Sequence, residues 1–512
     1  MSGIITYNFS IEQAKKFKAA LDNEDDYLYL FIGRIEPWAN EQSVPAQSNY
    51  IGNVDYDAWR DMFGLKRIVP SGISLGAKRY NWSNNTQYTQ YSHTDTSIFN
   101  SQYFVVSSSN NVYKCLFNDG GANSTVEPTG TSTSILSTAD GYKWKFMYSL
   151  DSDDIDTFVS TNYIPVKTLA SDDASLQWDV QAAAVNGSID IINVTSGGSG
   201  YVFTSNTLGF NAVSNSTTLV LRSNASGVDD IYNGSVLRIT GGAGAGQQRE
   251  VTNYVGTTRT ITVNSAFTSL PNTSSSYLVS PKVSIYGDGS GATAYSNVVA
   301  GQISYVNIVN EGSDYSTANV IITANSGSSA AAVAFIPQAG GHGSNPEYEL
   351  NGKNLIFSVT LERDEANTLP IVNDYRRFGL LLNPKWANGS PFTSLTASQT
   401  TKLNLSSVSS SGSFVLDSVV TGETSGATGR IVRFSNTNSS NTSGNLHLVL
   451  ISANISFQTG ETVTSSGANG VISSITQPDL KPYSGEILYI ENRQAIVRAR
   501  DQDENFKLVF TF

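Results

Sequence analysis

Over residues 506–512 apolar and polar positions alternate. Phe506, Leu508, Phe510 and Phe512 fall on one side of a period-two strand, with Lys507, Val509 and Thr511 on the other. A face of three phenylalanines and a leucine has to be covered, so this strand is expected to dock in a sheet whose other strands come from earlier in the chain. Just before it, 486–490 and 495–498 are apolar runs around the polar stretch Glu491-Asn492-Arg493-Gln494, the pattern of a β-hairpin. At the other end, Ile11, Ala14, Phe17, Ala20 and Leu21 recur at helical spacing. This predicts a helix over 10–23, with Ser10 and Gln13 as a capping box. A strand is expected over 27–32 and a second helix over 55–63, with Asp55 as N-cap and Gly64 as the stop. Strands follow at 101–117 and 141–150, the latter entered through an Asp140-Gly141 turn.

From about Gly187 the texture becomes repetitive. Residues 187–201 match 301–315 without a gap, pairing Asn193 with Asn307, Gly198 with Gly312 and Tyr201 with Tyr315. The second halves of the two units, 283–294 and 320–331, lie far from and close to their first halves respectively, which makes 206–281 a module nested inside the first unit. A second repeat pair, in 410–475, sets Gly426 against Gly467 and Gly429 against Gly470. The glycine string 241–246 lacks the Lys-Ser/Thr pair and the helix of a phosphate loop, and reads as a β-turn.

These patterns predict a mainly β fold, made of several β-sandwich domains with a few short N-terminal helices. The length of 512 residues calls for more than one core, and an abundance of Gly, Ser, Thr and Asn suits short strands joined by tight turns. The expected division is a discontinuous body (1–180, 341–390 and 480–512), a repeat module (181–205 and 282–340), the nested module 206–281 and an inserted module 391–479.

A net charge of -12 with scattered basic residues argues against nucleic acid as a partner. No apolar run approaches membrane-spanning length and no export signal is evident, so the expectation is a chain made in the cytosol and not bound to membrane. Cys115 is the only cysteine and reads as a small buried hydrophobe. His93, His342 and His447 lie in separate segments and read as surface or turn histidines. The run Asp151–Asp156 lacks calcium-loop spacing and reads as a solvated acidic turn. The sequence therefore predicts no catalytic residue, no metal site and no cofactor. Better founded as interface or packing residues are Arg34, Glu36, Trp38, Arg376, Arg377, Tyr489, Glu491 and Arg493, which sit in tight, aromatic-flanked motifs where Arg and carboxylate pair in bidentate fashion. Trp59 and Trp82 are further aromatic candidates.

Those motifs carry a resemblance. FIGRIEPW at 31–38, VYKCL at 112–116, DGYKWKFMYSL at 140–150, NYIPV at 162–166 and the whole of 484–512, with its SGE-x-x-YIENR and final FTF, resemble the baseplate wedge subunit of T-even-like contractile-tailed phages, the eighth of their tail gene products. The resemblance spans about the first 170 residues, parts of 345–385 and the last 30. It omits 180–340 and 400–475. Gly340-Gly341-His342-Gly343-Ser344 is similar to a stretch in marine phage relatives. The resemblance implies a β-rich homodimer in the virion, not an enzyme, that joins other wedge proteins to build the six-fold baseplate. The alternative is a carbohydrate-binding or depolymerising tail protein, which the Gly/Ser/Thr/Asn-rich β repeats would also suit.

Overall fold

The computed structural model describes residues 4–47, 54–409, 414–452 and 454–512. Strands dominate, and among the described residues the α-helices are Tyr7–Asp22, Val54–Asp61 and three shorter ones further on. The chain divides into two units. One comprises Met1–Ala77, Ser152–Val166 and Gly352–Phe512, and the other Lys78–Asp151 and Lys167–Asn351. This division cuts through the expected body. Residues 78–151 fold with the repeat modules, while the 391–479 insertion folds with the first unit.

In the first unit, a five-stranded antiparallel sheet runs in the order Thr396–Ser398, Met62–Arg67, Leu28–Gly33, Asn373–Leu382, Glu486–Arg498. Every residue of Leu28–Gly33 is buried, as a central strand covered on both faces requires. A four-stranded sheet runs Asp503–Thr511, Asn354–Glu362, Ile73–Lys78, Tyr163–Val166. Aromatic rings join the two sheets: Phe378 lies 5.1 Å from Phe506 and Tyr489 5.3 Å from Phe510, the edge-to-face geometry that ring quadrupoles favour. The last alternating segment thus does dock on a strand formed some 150 residues earlier, with Phe510 paired to Leu355. Phe17 of the first helix covers its far end against Phe357 and Phe512.

Two local expectations are corrected here. The first helix begins at Tyr7, where Thr6 accepts a hydrogen bond from the Phe9 backbone, so Thr6 caps it rather than Ser10. The 486–498 stretch is one strand of 13 residues, not a hairpin. Register shifts opposite Tyr375/Arg377 and Leu380/Leu381 are bulges that let Glu491–Gln494 continue as strand. An edge strand tolerates such polar residues because only one side of its backbone must pair.

The insertion closes into a barrel of six strands, Thr401–Ser406, Ser443–Leu450, Thr428–Asn436, Val419–Gly422, Thr462–Ser465 and Ala468–Thr476. Closure removes open edges, and the interior is filled by Leu403, Val420, Ile431, Leu446, Leu448 and Val463 among others. Residues 410–413, at the start of the second repeat pair, lie outside the described residues. Buried Glu461 accepts hydrogen bonds from the backbones of Gln458, Thr424 and Ser425 and from the Ser425 hydroxyl. It therefore knits the turn after Val419–Gly422 to the second half of the repeat.

His447 is not a surface histidine. It sits on a barrel strand with Nδ1 3.1 Å from the Thr400 hydroxyl. Burial, then Lys402 and Arg433, push its pKa down to about 4. In the unfolded chain it titrates near ~6.5. The folded barrel refuses a proton that the unfolded chain accepts, so this contribution to stability is intact above pH ~6.5 and lost as pH falls toward 4, by at most about 3 kcal/mol. His447→Gln is expected to remove it: between pH 7.5 and 4.5 the denaturant midpoint of the barrel falls less in the variant than in the parent chain, and equal falls would refute the assignment.

In the second unit, Phe104–Val106, Asn111–Asn118, Tyr142–Ser149 and Leu136–Ser137 form a four-stranded sheet around Tyr88, Tyr113, Trp144 and Phe146. Cys115 is fully buried there and burial raises its thiol pKa, as expected of an inert cysteine. The two repeat units fold around an approximate two-fold relation. The Tyr201 amide donates to the Gly301 carbonyl and the Tyr315 amide to the Gly187 carbonyl, while Val283 pairs with Ile322 and Ile285 with Val320. Ile191–Ser199 of the first unit pairs with Ser328–Phe335 of the second, and Gln302–Asn310 of the second with Thr293–Val299 of the first. Each repeat completes the other's sheet. Gly198 and Gly312 both adopt φ near +60° at positions where a Cβ would meet backbone at 2.5 Å or less, which is why both repeats hold glycine there. The nested module has its own core, with Phe210 stacked on Tyr277. The strand Ser276–Gly287 runs on from it into the repeat sheet, so the two share one sheet.

Candidate functional site

Of the residues singled out in the sequence, those from three segments converge at one end of the five-stranded sheet. After the buried strand Leu28–Gly33 the chain turns at Arg34, whose φ is +58°. Its amide donates to the Asp61 carbonyl and its own carbonyl accepts from the Arg376 amide. The Arg34 guanidinium lies 3.8 Å over the Trp38 ring and 3.5 Å from Asp61. The Trp38 indole N–H donates to the Arg493 carbonyl at 2.7 Å, which fastens the 31–38 turn to the C-terminal strand.

Arg376 and Arg377 point to opposite sides of their strand, as adjacent strand residues must. Both are buried. Arg376 binds Asp374 with both terminal nitrogens at 3.0 Å, Glu41 at 2.6 Å and the Ile35 carbonyl at 2.6 Å. Its hydrogen bond is the main reason that Glu41 titrates below the usual carboxylate range. Arg377 donates to Asp61, to the Asp57 carbonyl and to Asn492. Glu36 is exposed and takes Arg430 of the barrel at 3.0 Å, and Arg430 also holds Asp417. On the edge strand, Tyr489 donates to Glu491, which pairs with exposed Arg493. Burial and the Glu491 carboxylate raise the Tyr489 pKa to about 12.

These eight residues form a continuous charged and aromatic network, part packing and part surface. Trp59 lies in the core of this unit and Trp82 packs beside the core of the other. Next to Arg376 a cavity of about 550 Å³ opens against the barrel, walled by Ile35, Pro37, Val372, Leu416, Ile431 and Val497. Among the described residues, no strand pairs with the outer edge of Glu486–Arg498.

A second constellation, in the other unit, is one the sequence reading missed. Lys114 and Lys145 stand directly opposite on paired strands, and both are buried. Like charges so placed repel. They are tolerated because carboxylates surround them: Lys114 binds Glu349 at 2.7 Å, and Asp190 and Glu311 face Lys145. Glu349 is fully buried. Burial pushes its carboxyl up, but Lys114 beside it outweighs this and holds it at about 2. It also accepts from the Gly343 and Asn345 amides. His342, expected at the surface, is 4% exposed, with its ring edge-on to Tyr91 at 5.0 Å. The signal was present in VYKCL and DGYKWKFMYSL, where a lysine interrupts each buried strand, but spacing alone does not tell a buried lysine from a solvated one.

No protein-family model matches the chain, and no curated protein matches it. No group of three or more His, Cys, Asp or Glu among the described residues is arranged to hold a metal ion, and no helix among them is long and apolar enough to cross a membrane.

Proposed function

We propose that the chain is a structural, non-enzymatic component of a contractile-tail baseplate wedge, acting in the virion through protein–protein interfaces with other wedge proteins and with a second copy of itself. The observation that carries this reading is the C-terminal strand Glu486–Arg498. It bears the motif in which the resemblance is most specific, and among the described residues no strand pairs with its outer edge. A 13-residue strand offers main-chain hydrogen bonds for affinity and alternate side chains for specificity. The adjoining Arg34–Trp38–Arg493 network supplies the arginine and aromatic groups that dominate interface energies. Buried partners hold those groups in place before a neighbour arrives, which lowers the entropy lost on docking.

The test is quantitative mass spectrometry of purified phage particles, with light scattering on the isolated protein. A low, fixed ratio to the other baseplate proteins and a soluble dimer are expected. Absence from the particle, or a trimer formed only with fibre proteins, would overturn the reading in favour of a glycan-binding tail protein.

A further inference from the structure

The Gly340–Ser344 loop is shaped to bury one histidine. Gly340, Gly341 and Gly343 have φ of +93°, +100° and +92°. A Cβ on Gly341 would meet the Val185 backbone at 2.4 Å, and one on Gly343 the Val180 side chain at 2.5 Å. Only glycine lets the loop press this closely, and the result is His342 at the floor of a cavity of about 530 Å³.

The protonation of that histidine follows from its neighbours. Lys114 Nζ lies 3.1 Å from His342 Nδ1. An ammonium group only donates, so Nδ1 accepts and the ring proton sits on Nε2. Burial and Lys114 keep the ring neutral. Nε2 therefore offers one N–H toward the cavity, and no described residue accepts it within hydrogen-bond distance; Asp190 Oδ2 stands 4.0 Å away. The cavity also holds Lys145, which gives one of its three protons to the Thr133 carbonyl. Asp190 is fixed by the Ser188 hydroxyl at 2.7 Å. Glu311 is exposed, and partial burial and repulsion from Asp190 raise its carboxyl.

We propose that this cavity binds a sugar residue through a vicinal diol, with Asp190 and Glu311 accepting from its hydroxyls and His342 Nε2–H and Lys145 donating to them. Donors and acceptors are interleaved over a few ångströms, and the one common ligand group that both gives and takes a hydrogen bond at each atom is a hydroxyl. A simple anion would face two carboxyl groups, and a simple cation would face Lys145. Ile135, Val185 and Ile308 supply apolar wall for the ring's C–H face. The volume lies within the range of small-molecule sites. This site is independent of the assembly role and stands or falls separately from it.

The test is saturation-transfer NMR of the full chain with a panel of free pyranoses, and in a separate arm with soluble polysaccharide fragments ending in the same sugars. At least one diol-bearing sugar is expected to bind, and its deoxy analogue lacking one hydroxyl of the diol to bind at least about tenfold more weakly. Free sugar binding as well as the fragment points to recognition of a single residue; fragment alone points to a glycan end. Glu311→Gln, at an exposed position that leaves the fold intact, and Asp190→Asn should each weaken binding about tenfold or more. No saturation transfer from any sugar, equal binding of the deoxy analogue, or binding unchanged in both variants would overturn the proposal.

Discussion

Gly379→Ala is expected to detach the C-terminal strand and destabilise the first unit by about 3 kcal/mol or more, the upper end of overpacking costs. Gly379 sits in mid-strand, paired with Phe31 on one side and Ile490 on the other. A Cβ there would lie 2.0 Å from the Tyr489 carbonyl oxygen and 2.6 Å from the Phe31 ring. The first obstacle is backbone and cannot rotate away, and the second is a fully buried ring. The cheapest escape is for Glu486–Arg498 to move off the sheet edge, which also breaks the Trp38–Arg493 hydrogen bond. Denaturant unfolding followed by tryptophan fluorescence measures the loss, and hydrogen exchange locates it. Protection should fall first in 486–498, with 401–476 unchanged. An unfolding free energy within about 0.5 kcal/mol of the parent would show that the sheet absorbs the methyl group and that the edge strand shifts freely.

Lys114→Met is expected to cost the second unit about 3–5 kcal/mol, because it strands the Glu349 carboxylate inside the core. Lys114 is 0% and Glu349 1% exposed at the side chain, so water cannot take over the lost partner. The double variant Lys114→Met/Glu349→Leu, which removes both charges, should recover most of the loss. pH separates charge from packing. In the parent chain Glu349 is depressed to about 2, so its stabilising contribution is present above the unfolded value of ~4.3 and lost as pH falls through the folded one. In Lys114→Met the same carboxyl lacks its main partner and accepts a proton far more readily, so the deficit relative to the parent should shrink as pH drops from 7 to 4. A deficit constant with pH would assign the cost to shape rather than to the unpaired charge.

Much of the fold is legible because it rests on short-range pattern. The period-two face of Phe506, Leu508, Phe510 and Phe512 identified a strand that docks in a sheet, although only Phe506 is buried, Leu508 and Phe510 are half-buried and Phe512 is exposed. The 114-residue repeat identified paired units, and the glycine string 241–246 identified a turn between the strands Ser235–Gly241 and Gln248–Val255. Polar residues misled where an edge was involved. Glu491–Gln494 read as a turn, although an edge strand can expose polar side chains and still pair on one side. Helix starts depend on which of several nearby hydroxyls reaches a free amide, and Thr6 rather than Ser10 does so here.

By itself the sequence determined the β-rich class, the repeat symmetry and the set of Arg, Glu and aromatic residues drawn from residues 31–38, 376–377 and 489–493, because alternation, glycine spacing and residue type are local properties. Only the tertiary structure decided which partners Arg376 and Arg377 bind, that 78–151 folds with the repeats, and that His342, Lys114, Lys145 and Glu349 share one buried site. Those four residues span 235 positions of chain. What brings them together is strand register and the burial of their neighbours, and the cost of an unpaired buried charge then fixes how they face one another.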